Sequence, residues 1–521
     1  MTGTPGSWRV LAILVMGLAI VVGLVLVLVI PIVLLAFLCV AFAVITLLIV
    51  PASRRPPLPP LSDREIAALG PLPTATVVIA GRDEAAVIPH LLADLGSQDH
   101  CDQDGRARFE VIVVDDRSTD GTGIIARDAA VAAGIGDVTR LVRRGPPHDA
   151  PTGPRPDAPT WPRSVAPTGP RPEAPTGPHP EAQTGVPPRP GTGSFAVSHA
   201  RATAFLPGLP DLPLADGKGA ALSATGPDDY RGEFVVVLDA DARIAPDYLR
   251  RAASYFARGA GAMTARRRTL RHRPAGWFWA QLEAAQADEQ DADGEIQRGR
   301  WASGGCSEFR GNGIMVRTEL LAAAGGWHEH ALCEDLDLSS RIAVLGERVG
   351  WALDVAAWEE PVLDLGALRR QRLRWGMGII RRELELTLPV LRSPRLSLRA
   401  KADYLAYSAQ TVLPVSLLAA LVGGAVAGTW PSLLLLFATY LGPGAVLAGD
   451  SLRWEGLSGA HSLPERLARS MRLLVFSGLW IPVFTASWPL VAFGRGPVRY
   501  SKTEHSGAPA GFRPGSHDGV R

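Results

Sequence analysis

VVVLDADARIAP, residues 235–246, reads as a buried strand that runs straight into two aspartates spaced i, i+2. Side chains alternate between the faces of a strand, so Asp239 and Asp241 are expected to point the same way and Ala240 the other. Two like-charged carboxylates side by side repel unless a cation or a shared proton lies between them. Oxygen-only ligands favour Mg2+ or Mn2+, and such ions enter protein sites together with substrate phosphates. The stretch therefore points to an enzyme that handles a phosphorylated, metal-bound donor.

The same grammar recurs upstream. TATVVIA (74–80) and EVIVV (110–114) are short apolar runs, each followed by a helical segment, the helices starting from Glu84 and from about Ser118. EFVVVL (233–238) repeats the pattern, with a helix after Pro246. Such alternation predicts an α/β fold with a mainly parallel sheet covered on both faces, and ligands beyond the carboxyl ends of its strands. Each strand ends in charge: Arg82-Asp83-Glu84, Asp115-Asp116 and Asp239-x-Asp241. Asp116 at such an edge can accept hydrogen bonds from a base or ribose, whereas Ser118, Thr119 and Asp120 read as helix caps.

Membrane segments frame this sheet. Hydrophobic residues make up 47% of the 521, and the run Val10–Val50 has no charge and only Thr46 as a hydroxyl. As one helix it would measure about 60 Å, twice a hydrocarbon core of about 30 Å, so it reads as two spans, 10–29 and 32–50, broken near Pro31. Arg9 before it and Arg54 and Arg55 after it suit two cytoplasmic ends. Three further spans are expected at 408–429, 431–449 and 473–493, with the arginine-bearing link at 453–472 in the cytoplasm. Residues 365–403 read as interfacial helices. The plan is a hairpin at 1–52, a cytoplasmic domain at 72–364, the interfacial helices, a membrane region at 404–494 and a flexible tail at 495–521. Residues 145–193 repeat APTGPRPDAPT, APTGPRPEAPT and APTGPHPEAQT, a Pro-rich insertion that cannot build a core. It reads as a disordered surface insertion, with docking of partner proteins as the alternative.

The formal net charge is only +2, which argues against bulk nucleic-acid binding. Cys39, Cys101, Cys306 and Cys333 show neither paired metal spacing nor a disulfide framework, in keeping with a reduced cytosolic face. Lysine occurs only at 218, 401 and 502, so Lys218 in DGKGA stands out. Flanking glycines would let it approach a diphosphate. CEDLDLSSRIAVLG (333–346) reads as a helix start carrying Glu334, Asp335 and Asp337, for which dipole stabilisation is a competing explanation. Upstream, 304–327 is glycine-rich and suited to close approach of backbone to a sugar. QRLRWGMG (371–378) places Gln371, Arg374 and Trp375 on one side of a helix.

In this order, Asp-Asp, Asp-x-Asp, Glu-Asp and Gln-x-x-Arg-Trp resemble the membrane-embedded family 2 glycosyltransferases, which include cellulose, hyaluronan, chitin and poly-N-acetylglucosamine synthases. The resemblance covers roughly 72–378 apart from the insertion. It implies a GT-A-type (nucleotide-diphospho-sugar transferase) domain with a mixed, mainly parallel sheet plus transmembrane α-helices. It also implies a multi-pass enzyme of the plasma membrane with its catalytic domain in the cytoplasm. The reaction would be inverting transfer from a nucleotide-sugar, a UDP-sugar above all, to a lipid or growing polysaccharide, with Mg2+ or Mn2+. By the same resemblance Asp335 is the base, and Asp116, Lys218, Asp239 and Glu84 serve the donor. Asp241 with Asp239 meets the metal. Gln371, Arg374, Trp375 and Glu334 serve the diphosphate and acceptor. Asp83, Ser223 and Cys333 stand where the family more often has asparagine, asparagine and threonine. Two rival classes stay open at this point: a nucleotidyltransferase of similar fold, which would release pyrophosphate, and a non-catalytic membrane scaffold.

Overall fold

A computed structural model describes residues 7–29, 56–144, 217–272, 274, 276–428 and 462–493. The expected spans at 32–50 and 431–449, the insertion at 145–193 and the tail from 495 lie outside the described residues.

Eight strands form one sheet: β1 (Ala75–Gly81), β2 (Phe109–Asp116), β3 (Thr139–Arg144), β4 (Phe234–Leu238), β5 (Arg243–Ile244), β6 (Ala262–Thr269), β7 (Ile314–Arg317) and β8 (Val349–Glu359). Their order is β3-β2-β1-β4-β7-β6-β8-β5. Strands β3, β2, β1 and β4 run parallel, as do β6 and β8. Strand β7 is antiparallel to β4 and β6, and β5 to β8. The sheet is thus mixed and mainly parallel.

Both faces are buried, which is why the strands read as continuous apolar runs. On one face Val77, Ile79, Val111, Val113, Phe234, Val236 and Leu238 pack against Leu91, Leu92 and Leu95 of the helix Ile88–Gly96 and against Tyr248, Leu249 and Phe256. Phe234 stacks on Phe256 at 4.4 Å between ring centroids. On the other face Val78, Ile112, Val114, Val235 and Val237 meet Leu222, Trp327, Leu338 and Ile342. The alternation within β4 therefore assigns the next residue, Asp239, to the face that carries the helices Lys218–Leu222 and Glu334–Val344.

Two helices start later than their sequences suggest. The first begins at Ile88 rather than Glu84, and the second spans Thr122–Ala132 rather than starting near Ser118. The intervening residues are held by bonds between neighbouring strand-end loops, and those bonds compete with helix initiation.

The long helix Trp277–Ala302 buries charge as well as apolar surface. Arg469 and Arg472 of the helix Leu463–Ser477 meet Asp288 at 2.5 and 2.6 Å, and Arg469 also pairs with Asp291. Buried charges persist only when paired in this way. Residues 463–472, expected as part of a polar link, are therefore a helix docked by its arginines. Farther along, Ser7–Val29, Leu413–Ala427 and Trp480–Phe493 share an apolar cluster with Ile380 of the helix Leu365–Arg392. Ser416 donates to the Ala19 carbonyl at 2.9 Å, an approach that Gly23 permits. Among the described residues one helical stretch, Leu467–Phe493, is long and apolar enough to cross a membrane, and Val10–Gly23 is a shorter apolar one.

The helix Leu365–Arg392 is wedged between this bundle and the helix Glu334–Val344 by two glycines. Gly376 faces Ser487 and Val483, and a Cβ on Gly378 would overlap Cys333 Sγ. Gly378→Ala should lower stability by about 1–3 kcal/mol through overpacking, and adding Cys333→Ala should recover part of that loss. Thermal unfolding in detergent, compared across the single and double variants, checks both.

Candidate active site

The order β2-β1-β4 brings three parallel strand ends together, and the crevice between β1 and β4 lies where the order reverses. The loop after β1 is stitched to the loop after β2. Asp83 N–H donates to Ser118 Oγ at 2.9 Å, and Thr119 N–H to Asp83 Oδ1 at 2.7 Å. Glu84 N–H donates to Thr122 Oγ1 at 2.8 Å, and Ala85 N–H to Asp120 Oδ2 at 3.0 Å. Ser118, Thr119 and Asp120 thus fasten one loop to another, a larger role than the capping expected of them. Asp83 and Arg117 are held at left-handed φ values of 56° and 60°. Such strain persists where surrounding bonds over-determine it. The Glu84 stem folds back over Gly81, beside Ala240.

Asp116 lies at this edge, buried, and its carboxylate meets Arg117 at 3.0 Å and Arg144 at 2.9 Å. Asp115 turns inward and accepts from Ser118 N–H at 3.0 Å.

Strand β4 stops at Leu238, and a turn closed by Ala242 N–H to the Asp239 carbonyl at 3.0 Å follows. This corrects the expectation that Asp239 and Asp241 share a strand face, because alternation ends where the turn begins. Asp239 pairs with Lys218, whereas Asp241 accepts from Glu360 N–H at 3.4 Å, at the end of β8. Lys218 also reaches Glu334 at 3.5 Å. Burial disfavours the ammonium, but Asp239 and then Glu334 hold its pKa above the ordinary lysine value. Gly219 makes the approach possible, since a Cβ there would stand 2.9 Å from the His328 carbonyl.

Glu334 and Asp335 open the helix Glu334–Val344, with Cys333 as N-cap. Burial raises the pKa of both carboxyls. For Glu334 the Lys218 charge opposes that rise and Asp335 adds to it. For Asp335 the Leu336 backbone hydrogen bond and then Arg310, Lys218 and Arg267 oppose it. A raised carboxyl in a polar cleft is the environment of a proton acceptor. Asp337, by contrast, pairs with Arg341 at 2.6 Å and His328 at 3.2 Å and serves the fold.

The loop before β7 lies between these acids. Asn312, buried, accepts the Asp239 N–H on its Oδ1 at 3.2 Å. Gly311, at φ 75°, passes close enough to Asp335 that an added Cβ would stand 3.9 Å from Oδ2. The glycine-rich stretch thus brings backbone to the acids, as its composition suggested.

Gln371, Arg374 and Trp375 share one helix face through their i, i+3, i+4 spacing. Arg372, between them, was not singled out by the sequence. It bonds Glu289 at 2.6 Å and lies over the Trp375 ring at 4.7 Å and the Trp480 ring at 5.1 Å. The Trp375 ring therefore already has a cation on it, and its carbonyl faces Cys333 Sγ at 4.0 Å.

The structure thus gathers Lys218, Asp239, Glu334 and Asp335 around one point, with Asp116 and Glu84 at the neighbouring strand ends. Arg267, Arg310 and Asn312 enter the site without having been read from the sequence. Arg310 and Asn312 flank Gly311, and that glycine was the one available signal. Among the described residues no group of three or more His, Cys, Asp or Glu stands ready to hold an ion. Asp239 and Asp241 offer oxygen donors only. This set fits a hard cation that takes most of its coordination from water and a diphosphate.

Residues 234–448 match the model described as glycosyl transferase family group 2. The chain is 30% identical to the Beta-monoglucosyldiacylglycerol synthase of Synechocystis sp., over 53% of this chain and 58% of that one. It is 29% identical to the synthase of that name from Trichormus variabilis, over 56% and 62%. A more distant relative, 26% identical over 35% of this chain and 33% of its own, is the Arabidopsis thaliana protein named "Probable glucomannan 4-beta-mannosyltransferase 14". The chain thus spans about 60% of the length of the two synthases. A solved mannosyltransferase from Pyrobaculum calidifontis, in complex with GDP-Man and Mn2+, is 20% identical with a TM-score of 0.45, over 86% of this chain and 98% of that one. The match across 234–448 makes that region similar to the glycosyl transferases of family group 2, in keeping with the order of the motifs.

Proposed function

We propose that this chain is an inverting, metal-dependent glycosyltransferase that moves a sugar from a UDP-sugar to a lipid or growing polysaccharide at the membrane. The observation that carries this reading is Asp335. It is a half-buried carboxyl with a raised pKa, one residue from Glu334, which Lys218 joins to Asp239 at the end of β4. The synthases of Synechocystis and Trichormus, named for a glucosylated diacylglycerol, favour the lipid acceptor. Leu14, Leu18, Val422 and Val426 turn outward from the apolar bundle, as helices facing lipid would. We place the bundle in the plasma membrane as part of a multi-pass region, with 72–364 on the cytoplasmic side and 365–403 at the interface.

In this mechanism Asp335 takes the proton of the acceptor hydroxyl. The freed oxygen pair bonds the anomeric carbon while that carbon's bond to the diphosphate oxygen breaks. The leaving electron pair goes with UDP, and the single displacement inverts the anomeric centre. Asp239 and Asp241 would hold the divalent ion, which supplies Lewis-acid compensation for charge growing on the diphosphate. Lys218 keeps Asp239 and Glu334 from repelling each other and fixes both relative to the base. Asp116 and Glu84 serve the nucleoside end of the donor. Gln371, Arg374 and Trp375 serve the diphosphate and acceptor from the interfacial helix.

A panel of UDP- and GDP-sugars, presented to the reconstituted protein with diacylglycerol and Mg2+ or Mn2+, tests the reading by mass spectrometry of the products. Transfer of a glucosyl unit with UDP release supports it, and pyrophosphate release would establish a nucleotidyltransferase instead. Asp335→Asn should cost roughly 10²–10⁴-fold in rate, the range for removing a positioned base. Full activity in that variant removes the assignment. Because burial raises the Asp335 pKa and the base acts when ionised, kcat/KM should climb with pH through an apparent value above the ordinary 3.8. An acid limb at or below 3.8 contradicts the buried environment. Chelation should abolish UDP release and Mn2+ restore it, with Asp241→Asn needing more metal for the same rate.

A further inference from the structure

Arg310 precedes the glycine that passes Asp335, and its guanidinium is fixed from several sides. It meets Asp293 at 2.7 Å and Glu308 at 3.3 Å, and it donates to the Tyr407 hydroxyl. Tyr407 also accepts from Gln297 Nε2 at 3.1 Å, and Arg300 lies over its ring at 3.8 Å. Arg300 in turn bonds Asp403 at 3.0 Å, and Asp403 accepts the Cys306 N–H at 2.8 Å, at the start of the glycine-rich loop. Asp403 and Tyr407 belong to the helix Leu398–Ser408. That helix leads through Ala409–Thr411 into the apolar bundle, where Trp488 Nε1 donates to the Thr411 carbonyl at 2.8 Å.

We infer that Arg310 is a positioning residue for the transfer reaction: it fixes the charge and alignment of Asp335, and Tyr407 fixes Arg310 from the helix that enters the bundle. The inference rests on Asp335 being the base. The physical warrant is that a guanidinium shared among two carboxylates and a phenol has little freedom left. Its field at Asp335, which the adjacent Gly311 passes, is therefore constant and only partly screened by solvent. The charges around Asp335 are Arg310 on the loop, Lys218 on its short helix, Arg267 on β6, and Glu334 with the Cys333 thiol at its own helix start. Arg267 is itself tied to Glu359, and Lys218 to Asp239, whereas Arg310 alone of the three connects to the helix before the bundle. Arg310 favours the ionised base, so its loss should push the acid limb of kcat/KM upward.

The test uses the full chain in nanodiscs, with UDP release from UDP-glucose and diacylglycerol followed across a pH series. Arg310→Gln should shift the acid limb up by about one unit, a tenfold loss on the acid side and a smaller one on the alkaline side. Arg310→Lys, which keeps the charge without the fork, should fall between it and the parent. Tyr407→Phe keeps the ring under Arg300 and removes only the hydroxyl, so it should shift the limb in the same direction by a few tenths of a unit. Thermal unfolding identifies any variant that fails to fold, and Tyr407→Phe then decides the matter. Equal loss at every pH, or an unmoved limb in both Arg310→Gln and Tyr407→Phe, overturns the inference. An active Asp335→Asn variant instead overturns the base assignment on which it stands.

Discussion

The ammonium of Lys218, half-buried between Asp239 and Glu334, is the contact on which the site's geometry depends. It joins the end of a central strand to the start of the helix that carries Asp335. Without that charge two carboxylates would face each other in a region of low dielectric. Removing one partner leaves the others uncompensated, at a cost that solvent reaching the half-exposed Asp239 reduces below that of a fully buried pair. The short helix that carries Lys218 fits only because Gly219 allows its backbone to touch the 328–331 turn. The interaction is thus steric as well as electrostatic.

Outward from that point the molecule is organised by paired burial of charge. Asp288 holds Arg469 and Arg472, Glu289 holds Arg372 and the Trp480 indole, and Glu308 holds Arg382 and Arg310. Apart from Glu308–Arg310, which lies within one loop, each pair joins an element of the sheet domain to a helix of the apolar bundle or the wedge beneath it. Apolar contact would dock these helices without fixing their register. Directional ion pairs fix it, which suits an active centre assembled from segments far apart in the chain. Gly376 and Gly378 complete the arrangement by letting one helix touch the bundle on one side and the Cys333 turn on the other.

The site's acids fall into two kinds that the same residue type conceals. Asp115, Asp120 and Asp337 have their charge spent on backbone amides or an adjacent arginine, and they shape loops. Glu334 and Asp335 keep raised pKa values because burial outweighs their compensation. Asp116 lies between these kinds, at the strand edge yet held by two arginines. The match across 234–448 supports the class of chemistry proposed, and these environments are the ground for assigning its parts to particular carboxyls.

The strands at 74–80, 110–114 and 233–238, their charged ends and the helix start at Glu334 were legible from the amino-acid order. Hydrophobic runs and first-turn acids are local signals, set by neighbours in the chain. The turn after Leu238 was not legible, because whether a strand continues for two more residues depends on what its partners in the sheet offer it. For that reason Asp239 and Asp241 diverge toward Lys218 and the end of β8 instead of standing side by side. Arg267, Arg310 and Arg372 were hidden among many arginines of similar local context. Only the folded chain separates them, since a contact such as Arg267–Glu359, Arg372–Glu289 or Arg310–Tyr407 forms where two surfaces meet, and that distance is fixed by packing between segments distant in the chain.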